Sequence, residues 1–234
     1  MAYVGGKSKG SSHIISLLND PEYDGMNYLE PFVGYAHILR RVERKKSYTV
    51  SDANPLVACL LKGIQGKKVY PDISRDEYYE LKTKHNDNSF RRAIAAFCYS
   101  YNGKEWGGYT KASSCKTRTN YPQERKNYYD KLRQNDIFMN AVISCRDYKD
   151  LSPVGYLIYC DPPYSGRTGY SPEFDSEVFW DTMRKWSKNN IVFISEYTAP
   201  KDFICISEKP KSKSLNGKGS GNTEMEKVFT YNIT

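Results

Sequence analysis

Hydrophobic residues are spaced along this chain in two ways, which alternate from one end to the other. Short apolar runs rich in β-branched and aromatic side chains predict buried β-strands, and apolar residues that recur every three or four positions predict helices. The predicted strands are residues 27–30, 48–50, 138–143, 157–159, 191–194, 203–206 and 226–233. The predicted helices are one through Ile14, Ile15, Leu17 and Leu18, one at 36–46, one beginning at Pro55, one at 90–101 and one at 174–188.

Strands that alternate with helices are typical of an α/β domain with an open sheet. Residues 71–135 interrupt this alternation, because they are mostly polar with a helical pattern and combine aromatic rings with basic side chains. We therefore predict a catalytic domain formed by residues 1–70 and 136–234, with an inserted recognition subdomain at 71–135. A plain helical lid is the alternative interpretation of the insert.

The basic charge of the chain is confined to two segments. The formal net charge is +8, and residues 101–134 carry +5 of it while residues 207–223 carry +3. Localised positive charge indicates contact with a polyanion, although a solvated basic face fits the same composition. The residues that we expect to contact nucleic acid in the first segment are Lys104, Trp106, Tyr109, Lys111, Lys116, Arg118, Arg125 and Lys126. The run 209–221 predicts a disordered or DNA-tracking loop.

Several classes of protein are disfavoured by the sequence. It has neither an apolar run of membrane-spanning length nor the apolar region of a secretory signal, so we expect a cytoplasmic protein without membrane contact. The six cysteines are scattered without a Cys-x-x-Cys pair, and only three histidines are present. This argues against a disulfide framework and against structural zinc, and we expect no metal.

The strongest candidate for chemistry is Asp161-Pro162-Pro163-Tyr164, which follows the buried strand 157–159. Ligands bind at the carboxyl edge of open α/β sheets, where this turn should lie. A nucleobase amino group offers two N–H donors, of which Asp161 can accept one and the Pro162 carbonyl the other while Tyr164 stacks on the base. The alternative is an ordinary turn after a strand, with Tyr164 as packing cover.

Two other positions predict a ligand at the same edge. Asp52 ends the second strand, 18 residues beyond Gly34, which is near the spacing at which an acidic residue reaches the ribose of an adenosine-containing ligand. A helix cap is the alternative role for Asp52. The N-terminal Gly5-Gly6-Lys7 lets the backbone approach an anionic ligand, although it fits a flexible terminus equally well.

Taken together, these motifs resemble those of the Dam-like DNA adenine-N6 methyltransferases. The motifs in order are Gly5-Gly6-Lys7, Glu30-Pro31-Phe32-Val33-Gly34, Asp52-Ala53-Asn54, Tyr99–Gly103, Asp147-Tyr148 and Asp161-Pro162-Pro163-Tyr164. The resemblance implies a Rossmann-like seven-stranded methyltransferase sheet with an inserted, mainly helical DNA-recognition subdomain, S-adenosylmethionine as methyl donor and double-stranded DNA as substrate. The oligomeric state does not follow from it.

The resemblance also implies a role for each matching residue. Tyr3, Gly6 and Lys7 would border the cofactor, Phe32 and Gly34 would lie against its methionine part, and Asp52 would bind its ribose. Its adenine would meet Asp147 and the Tyr148 backbone. Asp161 and Pro162 would hold the target amino group beside the cofactor, and Tyr164 would stack on a flipped adenine.

The chain departs from the family in one place. Members usually carry Gly-x-Gly after the phenylalanine, whereas here Gly34 is followed by Tyr35-Ala36. We expect the loop to be kept if Ala36 does not need a positive φ. The alternatives to DNA adenine methylation are methylation of cytosine N4, methylation of RNA adenine, and a catalytically degenerate nucleic-acid-binding protein.

Overall fold

The computed structural model describes residues 11–110, 120–163, 174–211 and 224–232. Its strands are β1 Asn27–Glu30, β2 Ser47–Asp52, β3 Val142–Cys145, β4 Tyr156–Cys160, β5 Ile191–Glu196, β6 Phe203–Lys211 and β7 Glu224–Tyr231. Its α-helices are α1 Ser12–Leu18, α2 Pro55–Gln65, α3 Arg75–Thr83, α4 Phe90–Cys98, α5 Tyr121–Arg133, α6 Asp136–Asn140 and α7 Ser176–Ser187.

All seven strands form one sheet in the order β3-β2-β1-β4-β5-β7-β6. The pairs from β3 to β5 are parallel, and β7 runs antiparallel to both of its neighbours. The predicted seven-stranded, Rossmann-like α/β fold is confirmed. Because β2, β1 and β4 are adjacent and parallel, the residues that follow them meet at one edge of the sheet.

The sheet is buried on both faces, and successive residues of the central strands point to opposite sides. Tyr28, Leu157 and Tyr159 join one apolar cluster, to which α1, α2, α4 and α5 contribute. Leu29, Ile158 and Cys160 join the other, against the stripe of α7 formed by Phe179, Met183 and Trp186. The core stripe predicted for the helix at 174–188 is confirmed.

Within residues 71–135, the helix α4 packs directly against α2 of the sheet layer. Its alanines at 93, 95 and 96 are fully buried, and they share one core cluster with Leu60 of α2. The hydroxyl of Ser89 accepts from the Arg92 backbone N–H at 3.2 Å and caps the helix. The inserted helices are therefore joined to the sheet by a continuous core, and their role as a recognition subdomain stays a prediction.

The prediction of a helix at residues 36–46 is wrong. The structure has turns there and a short 3-10 segment at Leu39–Arg41, although Ile38 and Val42 are buried as the pattern implied. Ala36 and Arg44 adopt positive φ and Val42 is extended, so the helical backbone is interrupted three times. The apolar spacing reflects burial of a compact loop rather than a helix.

The strand predicted at 138–143 is wrong in its first half. Asn135 accepts a hydrogen bond from the Phe138 backbone N–H at 2.8 Å and so caps the short helix α6, and β3 begins only at Val142. A local side-chain cap outweighs the strand preference of the apolar run. Of the loop predicted at 209–221, residues 209–211 belong to β6, and residues 212–223 lie outside the described residues.

No helix among the residues described is both long and apolar enough to cross a lipid bilayer.

The contact between α2 and α4 yields a test of this packing. A methyl group added at Gly63 would overlap the Phe90 ring. Alanine favours a helix over glycine by about 1 kcal/mol, but overpacking a buried contact costs about 1–3 kcal/mol. The added methyl would overlap three atoms of a buried ring, so we place the cost at about 2–3 kcal/mol. After the gain in helix preference, we expect Gly63→Ala to lower the free energy of unfolding by about 1–2 kcal/mol in urea denaturation.

The matched control is Gly66→Ala at the end of the same helix. Gly66 has a negative φ, and its added methyl would meet two carbonyl oxygens, at 3.3 Å and 3.8 Å, and no side chain. The control should change the free energy of unfolding by less than about 0.5 kcal/mol. A Gly63→Ala protein as stable as the wild type would contradict the close approach of α2 and α4.

Candidate active site

Three carboxyl groups lie where β2, β1 and β4 end. Asp52 is the last residue of β2, Glu30 is the last residue of β1, and Asp161 directly follows β4. Glu30 pairs with Val50 across the sheet, so the side chains of Glu30 and Asp52 share one face. This is the edge that the strand pattern predicted for ligand binding.

Glu30 is a buried carboxyl group that favours its neutral form. Burial raises its pKa well above the ordinary value, and the negative charges of Asp161 and Asp52 raise it further. Hydrogen bonds from the Tyr28 hydroxyl, at 2.9 Å, and from the Leu39 backbone N–H act in the opposite direction. The hydrogen bond from Leu39 also ties the end of the loop after β1 to the end of its strand.

Asp52 holds the start of the same loop. Its carboxylate accepts from the Gly34 backbone N–H at 3.0 Å and from the Asn54 backbone N–H at 2.9 Å. Burial raises its pKa to about 6, and the two backbone hydrogen bonds limit that rise. The helix cap of α2 is Asn54, whose side chain accepts from the Leu56 N–H at 2.9 Å. Each oxygen of Asp52 keeps acceptor capacity for a ligand hydroxyl.

A cluster of aromatic rings packs around Phe32, which belongs to this loop. Phe32 is half-buried. The centroid of its ring lies 5.2 Å from that of Tyr148, 6.3 Å from that of Phe174 and 5.9 Å from that of Phe179. Burial raises the pKa of Tyr148 to about 12, and the charge of Asp147 adds to this. Asp147 accepts from the Lys149 backbone N–H at 2.9 Å and caps the short turn at Tyr148–Asp150. The structure therefore brings Phe32, Tyr148 and Asp147 together.

The loop between β1 and the 3-10 segment keeps a left-handed backbone at two positions. Gly34 has φ +47° and Ala36 has φ +57°, so the condition under which we expected the loop to be kept is not met. A residue with a Cβ pays roughly 1–2 kcal/mol for this conformation. Ala36 is fully buried and its N–H donates to the Val33 carbonyl at 2.8 Å, so the surrounding loop holds it there.

One basic residue predicted to contact nucleic acid is buried instead. Arg125 is fully buried, 5.6 Å from the Tyr121 ring, so its assignment as a surface contact is wrong in this structure. The reason is helical spacing, because Arg125 falls on the stripe of α5 that Tyr128, Tyr129 and Leu132 turn toward the core. The pattern of α5 in the sequence already contained this signal.

The other predicted contact residues in the described part of the insert occupy different environments. Lys104 and Lys126 are exposed, and Lys126 forms an ion pair with Asp130 at 3.1 Å. Trp106 and Tyr109 are half-buried. The Arg92 guanidinium lies 5.1 Å from the Trp106 ring, and the Tyr109 hydroxyl donates to the Ile73 carbonyl at 3.1 Å.

Seven of the predicted site residues lie outside the described residues. The seven are Tyr3, Gly6, Lys7, Lys111, Lys116, Arg118 and Tyr164.

The sequence analysis missed a contact that joins the insert to the edge of the sheet. The Asn54 side-chain amide donates a hydrogen bond to the Glu105 carboxylate at 2.6 Å. Nothing in the sequence pairs these residues, which are 51 positions apart.

A comparison of the sequence with protein families decides the class. The model of the D12 class N6 adenine-specific DNA methyltransferases matches residues 3–191. The chain belongs to this family. Membership makes this D12-class protein a methyltransferase, and the family implies S-adenosylmethionine as its methyl donor. No curated protein matches the sequence significantly.

Solved structures similar to this D12-class chain include two proteins of low sequence identity. The rRNA methyltransferase aviRa from Streptomyces viridochromogenes is 10% identical, with a TM-score of 0.44 over 99% of this chain and 88% of that one. The putative methyltransferase yhhF from Escherichia coli is 10% identical, with a TM-score of 0.44 over 100% of this chain and 92% of that one.

The raised pKa of Asp52 predicts how stability depends on pH. The ordinary pKa is 3.8 and the folded value is about 6, so the folded protein favours the protonated form. The raised pKa of Asp52 therefore adds to the free energy of unfolding below about pH 4, and this added stability is lost as the pH rises to about 6. We therefore expect the wild type to lose stability relative to Asp52→Asn across that range, as measured by chemical denaturation at a series of pH values. A difference between the two proteins that does not vary with pH would contradict the assignment.

Proposed function

We propose that this methyltransferase transfers a methyl group from S-adenosylmethionine to N6 of an adenine extruded from duplex DNA. The observation that carries the proposal is the position of Asp161-Pro162-Pro163 within a chain of the D12 class. The three residues follow β4 directly, next to β1 and its loop. A carboxylate and a rigid turn beside the loop that is hydrogen-bonded to Asp52 suit transfer to an exocyclic amine.

The residues around Asp52 fit S-adenosylmethionine. The half-buried carboxylate has acceptor capacity for ribose hydroxyls, and the rings of Phe32 and Tyr148 offer an apolar wall to the rest of the ligand. Gly34 would let the backbone approach the methionine part, and Asp147 with the Tyr148 backbone would meet the adenine. Tyr3, Gly6 and Lys7 would complete the site. When bound, the cofactor supplies an electrophilic methyl group on a positively charged sulfur.

Asp161 and Pro162 would orient the target nitrogen. The Asp161 carboxylate accepts one hydrogen of the amino group and the Pro162 carbonyl accepts the other, while Tyr164 stacks on the base. Two such hydrogen bonds draw the nitrogen lone pair out of conjugation with the ring. The nitrogen becomes positive as its new bond forms, so its attraction to Asp161 is stronger in the transition state than in the ground state.

Basic residues of the insert would hold the DNA while the base is extruded. The target atom cannot be reached inside the base stack, and extrusion costs a few kcal/mol. Lys104 and Lys126 are exposed, and Lys111, Lys116 and Arg118 are expected to act with them. Phosphate contacts of this kind offset the cost of extrusion and weaken steeply with added salt.

Identification of the methylated nucleoside tests the proposal. Purified protein, radiolabelled S-adenosylmethionine and either duplex DNA or RNA should give label in DNA alone, and digestion of that DNA should yield N6-methyladenosine in its deoxy form. Two acceptors beside a stacked base fit any exocyclic amine, so N4-methylcytosine or a labelled RNA product would contradict the substrate. Absence of label in every nucleic acid would contradict the transfer itself.

The role of Asp161 gives a second test. We expect Asp161→Ala to reduce methyl transfer at least about a hundredfold, because the carboxylate interacts most strongly in the transition state. DNA affinity, measured by fluorescence anisotropy, should stay nearly unchanged because the phosphate contacts are kept. The control is Asp76→Ala, which removes an exposed carboxylate from the first turn of α3. Retained turnover in Asp161→Ala would refute the assignment.

A further inference from the structure

Asn54 is a bridge between the Asp52 carboxylate and the insert. Its backbone N–H donates to that carboxylate at 2.9 Å, and its side-chain carbonyl accepts from the Leu56 N–H at 2.9 Å. Because the carbonyl end of the side chain caps α2, the amide nitrogen is the end that faces Glu105, to which it donates at 2.6 Å. One side chain therefore contacts the proposed cofactor site, a helix of the sheet layer and the insert.

The position of Glu105 is set by the residue that follows it. The N–H of Trp106 donates to the Ala96 carbonyl of α4 at 3.0 Å, and its ring centroid lies 5.3 Å from that of the buried Tyr78. Trp106 has φ +50°, a left-handed conformation that residues with a Cβ adopt only where their surroundings hold them. The core of the insert thus directs the exposed Glu105 side chain toward Asn54.

The charge of Glu105 is unusual in its surroundings. The residue belongs to the more basic of the two charged segments, in which the other acidic residues are Glu124 and Asp130. Each of these lies within 4.0 Å of a basic side chain of its own helix. Glu105 meets the neutral amide of Asn54 instead, and its negative charge contributes to the raised pKa of Asp52. Its carboxylate therefore acts on the proposed cofactor site.

Among the described residues, the other ionisable groups around Asp52 come from the two strands beside it. Glu30 at the end of β1 is buried and favours its neutral form. On β3, the exposed Cys145 pairs with Asp52 in the sheet, and the Arg146 backbone N–H donates to the Asp52 carbonyl at 3.2 Å. The Arg146 guanidinium turns to a backbone carbonyl four residues on, at 2.6 Å. Glu105 is the carboxylate through which the insert reaches Asp52.

We propose that Glu105 is a positioning residue of the cofactor site, which acts through Asn54 and through its own charge on the Asp52 carboxylate. The inference rests on the proposed function, because it takes Asp52 as the residue that binds the ribose of S-adenosylmethionine. A carboxylate that accepts from two adjacent hydroxyls must be held in one orientation, and supporting contacts provide this. Part of the cofactor affinity then comes from the insert rather than from the sheet.

Three substitutions separate the hydrogen bond from the charge. Glu105→Ala removes both, whereas Glu105→Gln keeps an acceptor for Asn54 and removes only the charge. Asn54→Ser removes the amide donor and keeps a side chain that caps α2. The matched control is Glu80→Gln, which removes an exposed carboxylate of α3 that pairs with Lys84 at 2.6 Å. Calorimetry on the full chain gives the dissociation constant of S-adenosylmethionine for each protein.

At about pH 7.5, Glu105→Ala and Asn54→Ser should each bind S-adenosylmethionine about fivefold more weakly than the wild type, because one hydrogen bond of the bridge is lost. Glu105→Gln and Glu80→Gln should stay within about twofold of the wild type. Asn54→Ser combined with Glu105→Ala should lose no more affinity than either change alone, because both break the same bridge. Losses that multiply in the double variant would refute a shared bridge.

The pH profile is a readout that a purely structural tie would not move. The pKa of Asp52 is about 6, so the wild type should lose affinity at lower pH, where a protonated carboxyl accepts fewer hydrogen bonds. Without the charge of Glu105 the pKa of Asp52 is lower. Glu105→Gln should therefore keep a larger share of its affinity at about pH 5 than the wild type does, and Glu80→Gln should follow the wild type. Identical profiles would refute the action of the charge.

The outcomes separate this inference from the function on which it rests. If the wild type binds S-adenosylmethionine and all variants match it in affinity and pH profile, positioning by Glu105 is refuted and the proposed function stands. A loss of thermal stability in Glu105→Ala without a loss of affinity would make the contact a structural tie and also refute positioning. A wild type that does not bind S-adenosylmethionine would overturn the proposed function together with this inference.

Discussion

The hydrogen bond from the Gly34 backbone N–H to the Asp52 carboxylate is the interaction on which the rest of the site depends. It joins the loop that leaves β1 to the end of the neighbouring strand β2, at 3.0 Å. Glu30 secures the other end of that loop through the Leu39 N–H. The contact between Gly34 and Asp52 exists because β1 and β2 are parallel and adjacent, so that their last residues share one edge. The loop is therefore fixed at two points beside Asp161.

Burial of these carboxyl groups has an electrostatic consequence. Glu30, Asp52 and Asp161 are close enough that the charges of the two aspartates raise the pKa of Glu30. Burial and these two charges therefore oppose a third negative charge, on Glu30, at the edge. Under the proposed function, the positive sulfonium of the cofactor would meet the charge that remains on the aspartates. The left-handed Ala36 shows that this loop takes a positive φ at a position where the residue is not glycine.

Much of this architecture follows from local sequence patterns. The apolar runs at β1, β4 and β5 and the proline at the start of α2 each determine their element with short-range information. The errors arose where longer-range packing decided the outcome. Residues 36–46 carry a helical apolar pattern because a compact loop is buried, and Arg125 is buried because its helix turns that face inward. Contacts such as Asn54 with Glu105 depend on how the insert packs, which local patterns do not encode.

A crystal structure with S-adenosylhomocysteine, the demethylated form of the cofactor, tests the central claim most directly. The account predicts ligand density with the ribose hydroxyls on Asp52, the apolar part against Phe32, and the sulfur facing Asp161. The bond between Gly34 and Asp52 should be retained in the complex. Density for the ligand at any other place, or an Asp161 carboxylate turned away from the bound sulfur, would contradict the account.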